Sequence, residues 1–210
     1  MGRPSKTLIS RERVIHTALD IIDVQGLNAL SVELVARHIG VKAPSLYYHF
    51  KGKSELLSEV ALHILNEIDP PTFLRDNWED TITALCVETR RTILRHPNAA
   101  PLLLQYFPRH IFLRAYDFWA GQCPLPTDMQ LTMLDGLEKI TYGSSLFAAS
   151  ARAHQMPQMP EFDLKAFPNL ARAVRANPYN DEAMFEEEIR AFLLGLKQRH
   201  EAKTSPRLAD

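Results

Sequence analysis

The chain of 210 residues has only two cysteines, Cys86 and Cys123, too few for a disulfide framework and consistent with a reducing compartment. Its eight glycines leave little material for active-site loops. Neither G-x-S-x-G, a phosphate-cradling glycine loop nor Cys-x-x-Cys occurs. Among the eight histidines (His16, His38, His49, His63, His96, His110, His154 and His200) no two lie three to five positions apart, so a helical metal pair is missing. Glu186 to Glu188 reads as a solvated helix start rather than as acid–base machinery. These absences speak against an enzyme, and no metal or cofactor is expected. No apolar run approaches the roughly 20 residues that span a bilayer, and Arg11, Glu12, Arg13 and His16 interrupt the place where a signal-peptide core would lie. A cytoplasmic chain without a membrane segment is expected. Sustained alternation of apolar and polar residues is also missing, as are repeats, and an all-α fold follows.

What the chain does have is a 46% hydrophobic share, enough for a substantial core, and a net charge of −1 that is unevenly spread. Residues 1–56 hold eight basic against five acidic side chains, an excess of three that leaves −4 for the remainder. A basic first domain on an acidic body suits contact with phosphates. The most specific stretch is SVELVARHIGVKAPSLYYHFKGKSELL, residues 31–57. Ser31 is a good N-cap, Leu34, Val35, Ala36 and Ile39 mark a buried face, and Gly40 suits the left-handed conformation that ends a helix. Ala36 is small enough to let a second helix cross, with Val41 and Leu46 filling the wedge and Pro44 in the first turn of that second helix. Ser45, Tyr47, Tyr48 and His49 then face outward, while Leu46 and Phe50 are core. By spacing alone an ordinary helical hairpin remains the alternative.

The run LYYHFKGKSELL after GVKAPS resembles the signature of the tetracycline-repressor family of bacterial regulators, from about Arg11 to Leu57. Gly26, Leu27, Ala36, Gly40, Val41, Leu46, Tyr47, His49, Phe50, Lys53 and Leu56 all stand where that family places them. The resemblance implies a helix-turn-helix domain that reads double-stranded operator DNA. Chemistry then assigns Lys42 and Lys53 to phosphates, with Tyr48, His49 and Ser31 hydrogen-bonding the DNA backbone. Ala43, Pro44, Ser45 and Tyr47 lie toward base edges at the start of the reading helix. Few of these are strong donors, so the operator sequence does not follow.

Four regions are expected: a basic flexible arm over 1–9, the helix-turn-helix domain over 10–53, a connecting helix over 54–69, and a larger helical effector-binding and dimerisation domain over 70–210. In the arm, Gly2-Arg3-Pro4 resembles the core of a minor-groove hook. From Ser10 an N-capped first helix runs to Gly26, and Ser54–Ile68 forms the connecting helix, stopped by Pro70-Pro71. Capping boxes at Asp76/Glu79 and Thr127/Gln130 open two long helices, ending near His96 and His154. Shorter helices are expected over 98–107, 109–122 and 168–176, and a last one over 181–200, acidic at its start and basic at its end.

A homodimer is expected, because one helix-turn-helix reads too few base pairs. In the resembled family two helices of each subunit form a four-helix interface. The small residues Gly143 to Ala151 and the stripe Phe185, Ile189, Phe192, Leu193 and Leu196 are the matching surfaces here. The resemblance also implies a small-molecule pocket between Ile68 and Ala151, with Leu85, Thr89, Leu103, Phe107, Tyr116, Tyr142 and Phe147 as candidate linings. Trp78, Asp80 and His96 resemble the tetracycline-binding branch. Where that branch places a metal-binding histidine this chain has Leu103, which cannot ligate magnesium, so an apolar or aromatic effector of unknown identity is expected instead.

Overall fold

The computed structural model describes residues 9–72, 77–107, 112–157 and 159–204, the last three in backbone only. The described residues form helices and turns without a strand. In chain order the α-helices are α1 (Arg11–Gln25), α2 (Val32–Ile39), α3 (Lys53–Asn66), α4 (Trp78–Arg95), α5 (Leu102–Gln105), α6 (Leu113–Gln122), α7 (Thr127–Ala153), α8 (Pro168–Ala176) and α9 (Asp181–Thr204). None is long and apolar enough to cross a membrane. The arm over 1–9 lies, except for Ile9, outside the described residues, as does Asp76.

Two compact units emerge, one of Met1–Glu67 with Thr92–Pro108, the other of Ile68–Arg91 with Arg109–Asp210. They do not follow the expected boundary at residue 70. The end of α4 and all of α5 belong with the amino-terminal unit, where α5 packs on α3.

In the first unit α1 packs on both α2 and α3. The Ser10 hydroxyl accepts the Arg13 N–H at 3.1 Å, opening α1, and Gly26, at φ +83°, closes it by donating to Ile22. Val14, Ala18 and Ile22 of α1 and Val60, Ala61 and Ile64 of α3 are wholly excluded from solvent, and the two helices pack on each other. A polar network joins the distant segment to this core. His96 Nδ1 lies 2.6 Å from Asp23 Oδ2 and its Nε2 lies 3.2 Å from Glu67 Oε2, while the Asn98 amide donates to the Asp23 carbonyl at 2.8 Å. Glu67 also faces Arg95 at 3.6 Å and His63 at 3.5 Å, and the His63 ring meets His16 edge-on with centroids 4.3 Å apart.

The second unit is built on α7 and α9, with α6 against α7. Trp78, Ile82 and Cys86 of α4, Met133 and Leu137 of α7, and Phe185, Ile189 and Leu193 of α9 form its core. Buried Arg90 grips both carboxylate oxygens of Asp181 at 2.7 Å and donates to Ser144 at 3.2 Å, fixing the start of α9. The Phe192 ring occupies the space beside Gly136, where any Cβ would collide with it.

Three expectations change here. Thr127 is not a cap: it is the first residue of α7, Pro126 precedes it without a capping side chain, and Gln130 turns back to the Leu125 carbonyl at 3.2 Å. The stripe Phe185, Ile189, Leu193 and Leu196 is not a free partner face, because all four residues are buried within a single chain. Among the small residues of α7, Ser145, Ala148 and Ala149 are likewise buried, whereas Phe147 and, on α9, Leu194 are exposed.

Asp23 first, then Glu67, raise the His96 pKa above its ordinary 6.5 against the opposing effect of burial, while burial and neighbouring His16 lower that of His63. The stabilisation from His96 is therefore complete below about pH 6.5 and is lost as pH rises through the raised value. His63 acts in the opposite sense: below about pH 6.5 the unfolded chain takes up its proton first, so stability falls as pH drops toward the lowered value. In urea unfolding across pH, His96→Gln is expected to flatten the alkaline decline and His63→Gln the acidic one. An alkaline decline unchanged in His96→Gln would contradict the assignment.

Candidate nucleic-acid interface

Ser31 opens α2 by accepting the Leu34 N–H at 3.1 Å on its hydroxyl oxygen. At the other end Gly40 adopts φ +83° and ψ +33°, the left-handed conformation that only glycine takes without strain. Its N–H donates to Arg37 at 3.2 Å and the Val41 N–H donates to Ala36 at 2.9 Å, the paired bonds of a Schellman motif. This closure turns the chain sharply while Ala36 stays wholly buried beneath it.

The second helix is shorter than expected. Only Ala43–Ser45 form a 3₁₀ turn, with Pro44 in its first positions, and the chain continues as linked turns to His49. Ser45 donates to Lys42, Leu46 to Ala43, and His49 and Phe50 both to Leu46. Pro44 removes a donor, and Ser45, Tyr47, Tyr48 and His49 are all weak helix formers, so the tighter geometry prevails. Leu46 and Phe50, at 1% and 3% exposure, root the segment in the core. Tyr47 and Tyr48 project at 50% and 90%, and His49 is half-buried with its ring edge-on to Tyr48 at 5.7 Å. Lys42, Pro44 and Lys53 are exposed, and Ser31, Ala43 and Ser45 half-buried. All nine residues assigned to DNA from the sequence thus lie on α2's start, the reading segment, or the start of α3.

Arg11, which the sequence reading passed over, binds beneath this segment. It donates to the His49 carbonyl and to Glu55 and Glu59, at 2.9 and 2.7 Å for the carboxylates. Those partners lie 44 and 48 positions away, so no local spacing announces them.

The candidate effector residues do not form one group. Leu103, buried, and Phe107, half-buried, belong to the amino-terminal unit. In the other unit Thr89 is buried and Leu85 packs against the core. Tyr116 donates to Glu138 Oε2 at 2.6 Å. Tyr142 stands one turn beyond Glu138 on α7; burial first, then Tyr116 and Glu138, push its pKa far up, keeping the phenol a donor. Phe147, by contrast, is 84% exposed and lines no interior. Glu138 was not anticipated, although its spacing to Tyr142 places both on one helix face. Burial raises the Cys86 thiol to about 11, so it remains protonated and unreactive at neutral pH. Among the described residues no cluster of histidine, cysteine and acidic side chains could hold a metal.

A glycine-closed helix, a sharp turn and an exposed tyrosine-bearing segment define a helix-turn-helix module. Residues 14–60 match the model of the tetR family of bacterial regulatory proteins. The chain is 31% identical to an HTH-type transcriptional regulator of Saccharopolyspora erythraea over 98 residues, 47% of this chain and 42% of that protein. With the class D tetracycline repressor of Escherichia coli it shares 28% over 136 residues, 63% of this chain and 61% of the repressor. Both matches span less than two thirds of the relative's length. In fold, ActR of Streptomyces coelicolor, crystallised in complex with (S)-DNPA, superposes with a TM-score of 0.73 at 23% identity, over 92% of this chain and 99% of that one.

Because Tyr48 is 90% exposed, Tyr48→Ala is expected to leave the thermal midpoint within about 1 °C of wild type, as surface changes usually do. Affinity for a bound duplex should nevertheless fall severalfold in fluorescence anisotropy; equal affinity would remove Tyr48 from the interface.

Proposed function

We propose that this chain is a homodimeric DNA-binding transcription regulator, a repressor that leaves its operator when a small molecule binds the helices of the second unit. The observation that carries this reading is the outward projection of Tyr47 and Tyr48 from a segment anchored by Leu46 and Phe50. The match to the family model and the resemblance to tetracycline repressors support it. Regulators of this family are not enzymes. The working compartment is the cytoplasm, where its operator lies.

A dimer would present two reading segments to half-sites about one DNA turn, roughly 34 Å, apart. Exposed Phe147 on α7 and Leu194 on α9 offer apolar surface for the contact between subunits. The effector is an aromatic molecule with a polar substituent, for which Tyr116, Glu138 and Tyr142 supply hydrogen-bonding groups beside the apolar Leu85; the complex of ActR with (S)-DNPA is a precedent for ligand binding on this fold. Helix α4 contributes residues to both units, Trp78 to Arg91 to one and Thr92 to Arg95 to the other. Release requires that the effector favour the DNA-incompetent state, by about 10⁴-fold to swing occupancy from 99:1 to 1:99. An activator, or a regulator needing a corepressor, is the alternative, and a corepressor would show the opposite linkage between effector and DNA.

The test is selection of duplexes from a randomised library, followed by affinity measurements across salt. A selected duplex should bind with affinity that falls steeply with salt, and Lys53→Ala should weaken every duplex while reducing the salt slope by about one. Failure to enrich any duplex would identify a helical interaction protein instead. In sedimentation, Phe147→Asp is expected to shift the dimer toward monomer and lower duplex affinity with it; an unchanged dimer would place the interface elsewhere.

A further inference from the structure

A reading segment that is only a 3₁₀ turn and linked turns has few internal hydrogen bonds to set its direction. Its carboxyl-terminal end depends on outside partners for its unpaired carbonyls. One such partner is present. Arg11, at the start of α1, donates through Nη1 to the His49 carbonyl, the last of the segment. The same guanidinium donates through Nη2 to Glu55 at 2.9 Å and Glu59 at 2.7 Å, successive turns of α3, and its central carbon lies 4.4 Å from the centroid of the Phe50 ring. Glu55 reaches back with its other oxygen to the Lys51 N–H at 2.8 Å, bracketing the loop between the segment and α3.

We infer that Arg11 is a positioning residue for DNA recognition: it caps the reading segment from outside and, through Glu55 and Glu59, fixes that segment's direction relative to α3. The cation lies where the carbonyls of a short helical end concentrate negative potential. Its planar fork divides its donors between a carbonyl and two carboxylates in one fixed geometry, which the single ammonium of lysine cannot reproduce. Arg11 acts through the segment it holds and not through a phosphate, and so separates specific from non-specific affinity.

This inference rests on the DNA-binding reading, and the test keeps the two apart. Full-length protein is titrated with a duplex selected from a randomised library and with a scrambled duplex of equal length. Arg11→Lys retains the charge, so affinity for the scrambled duplex and the salt slope should stay as in wild type, while affinity for the selected duplex falls about tenfold or more, the size expected for loss of a charged hydrogen bond. Glu59→Gln gives a second, oppositely signed test. Removing a negative charge should by electrostatics alone strengthen binding to both duplexes; loss of positioning should lower the selected-to-scrambled ratio. Thermal melting and sedimentation of each variant confirm that folded protein of unchanged oligomeric state is being compared. A ratio unchanged in both variants, with Lys53→Ala still weakening binding, overturns the role of Arg11 and leaves the DNA reading intact. Wild-type protein that binds neither duplex overturns both.

Discussion

The left-handed turn at Gly40 is the constraint on which the recognition surface rests. It closes α2 through bonds to Ala36 and Arg37 and, with Ala36 reduced to a methyl group beneath, lets the chain reverse within three residues. Leu46 and Phe50 are then buried, and the tyrosines between them point to solvent. Any side chain at position 40 would pay the cost of positive φ, and a larger one at 36 would enter a space with no room for it. Direction, and not the identity of the exposed groups alone, is what this junction supplies.

How far the fold was legible depended on the range of the interactions. Ser10, Ser31, Gly26 and Gly40 act within four residues of themselves, and each does what its type and place suggested. The extents of α7 and α8 were readable from apolar period and from proline for the same reason, whereas α9 runs on to Thr204, past the expected end at 200. Thr127 failed as a cap because Pro126 already directs the chain into the helix and Gln130 finds a nearer carbonyl. The stripe on α9 shows another limit. Periodicity reveals that Phe185, Ile189, Leu193 and Leu196 are covered, but not whether Met133 and Leu137 of the same chain or a second chain covers them.

The position of the candidate DNA-facing residues around one turn was legible because they lie in one stretch of sequence, which the family signature also spans. What holds it was hidden. Arg11 meets Glu55 and Glu59 across more than forty positions, and His96 meets Asp23 across 73. Ion pairs of that separation leave no period, and each member alone reads as an ordinary solvated charge. The effector region was less legible still: aromatic residues at helical spacing pack far more often than they line a site, and Phe147 turned out to face solvent.

The amino-terminal unit is not continuous along the chain. Ile93, Ala99 and Leu102 are as deeply buried as the residues of α1, yet they are separated from Glu67 by a stretch that folds with the other unit. During synthesis, therefore, the ribosome releases the helix-turn-helix long before the last pieces of its support. Until residues near 108 have left the exit tunnel, the nascent module lacks α5 and the imidazole that joins Asp23 to Glu67, and by then the first half of α4 has already been made. Maturation of the candidate DNA-reading head is thus tied in time to synthesis of the portion of the chain assigned to sensing.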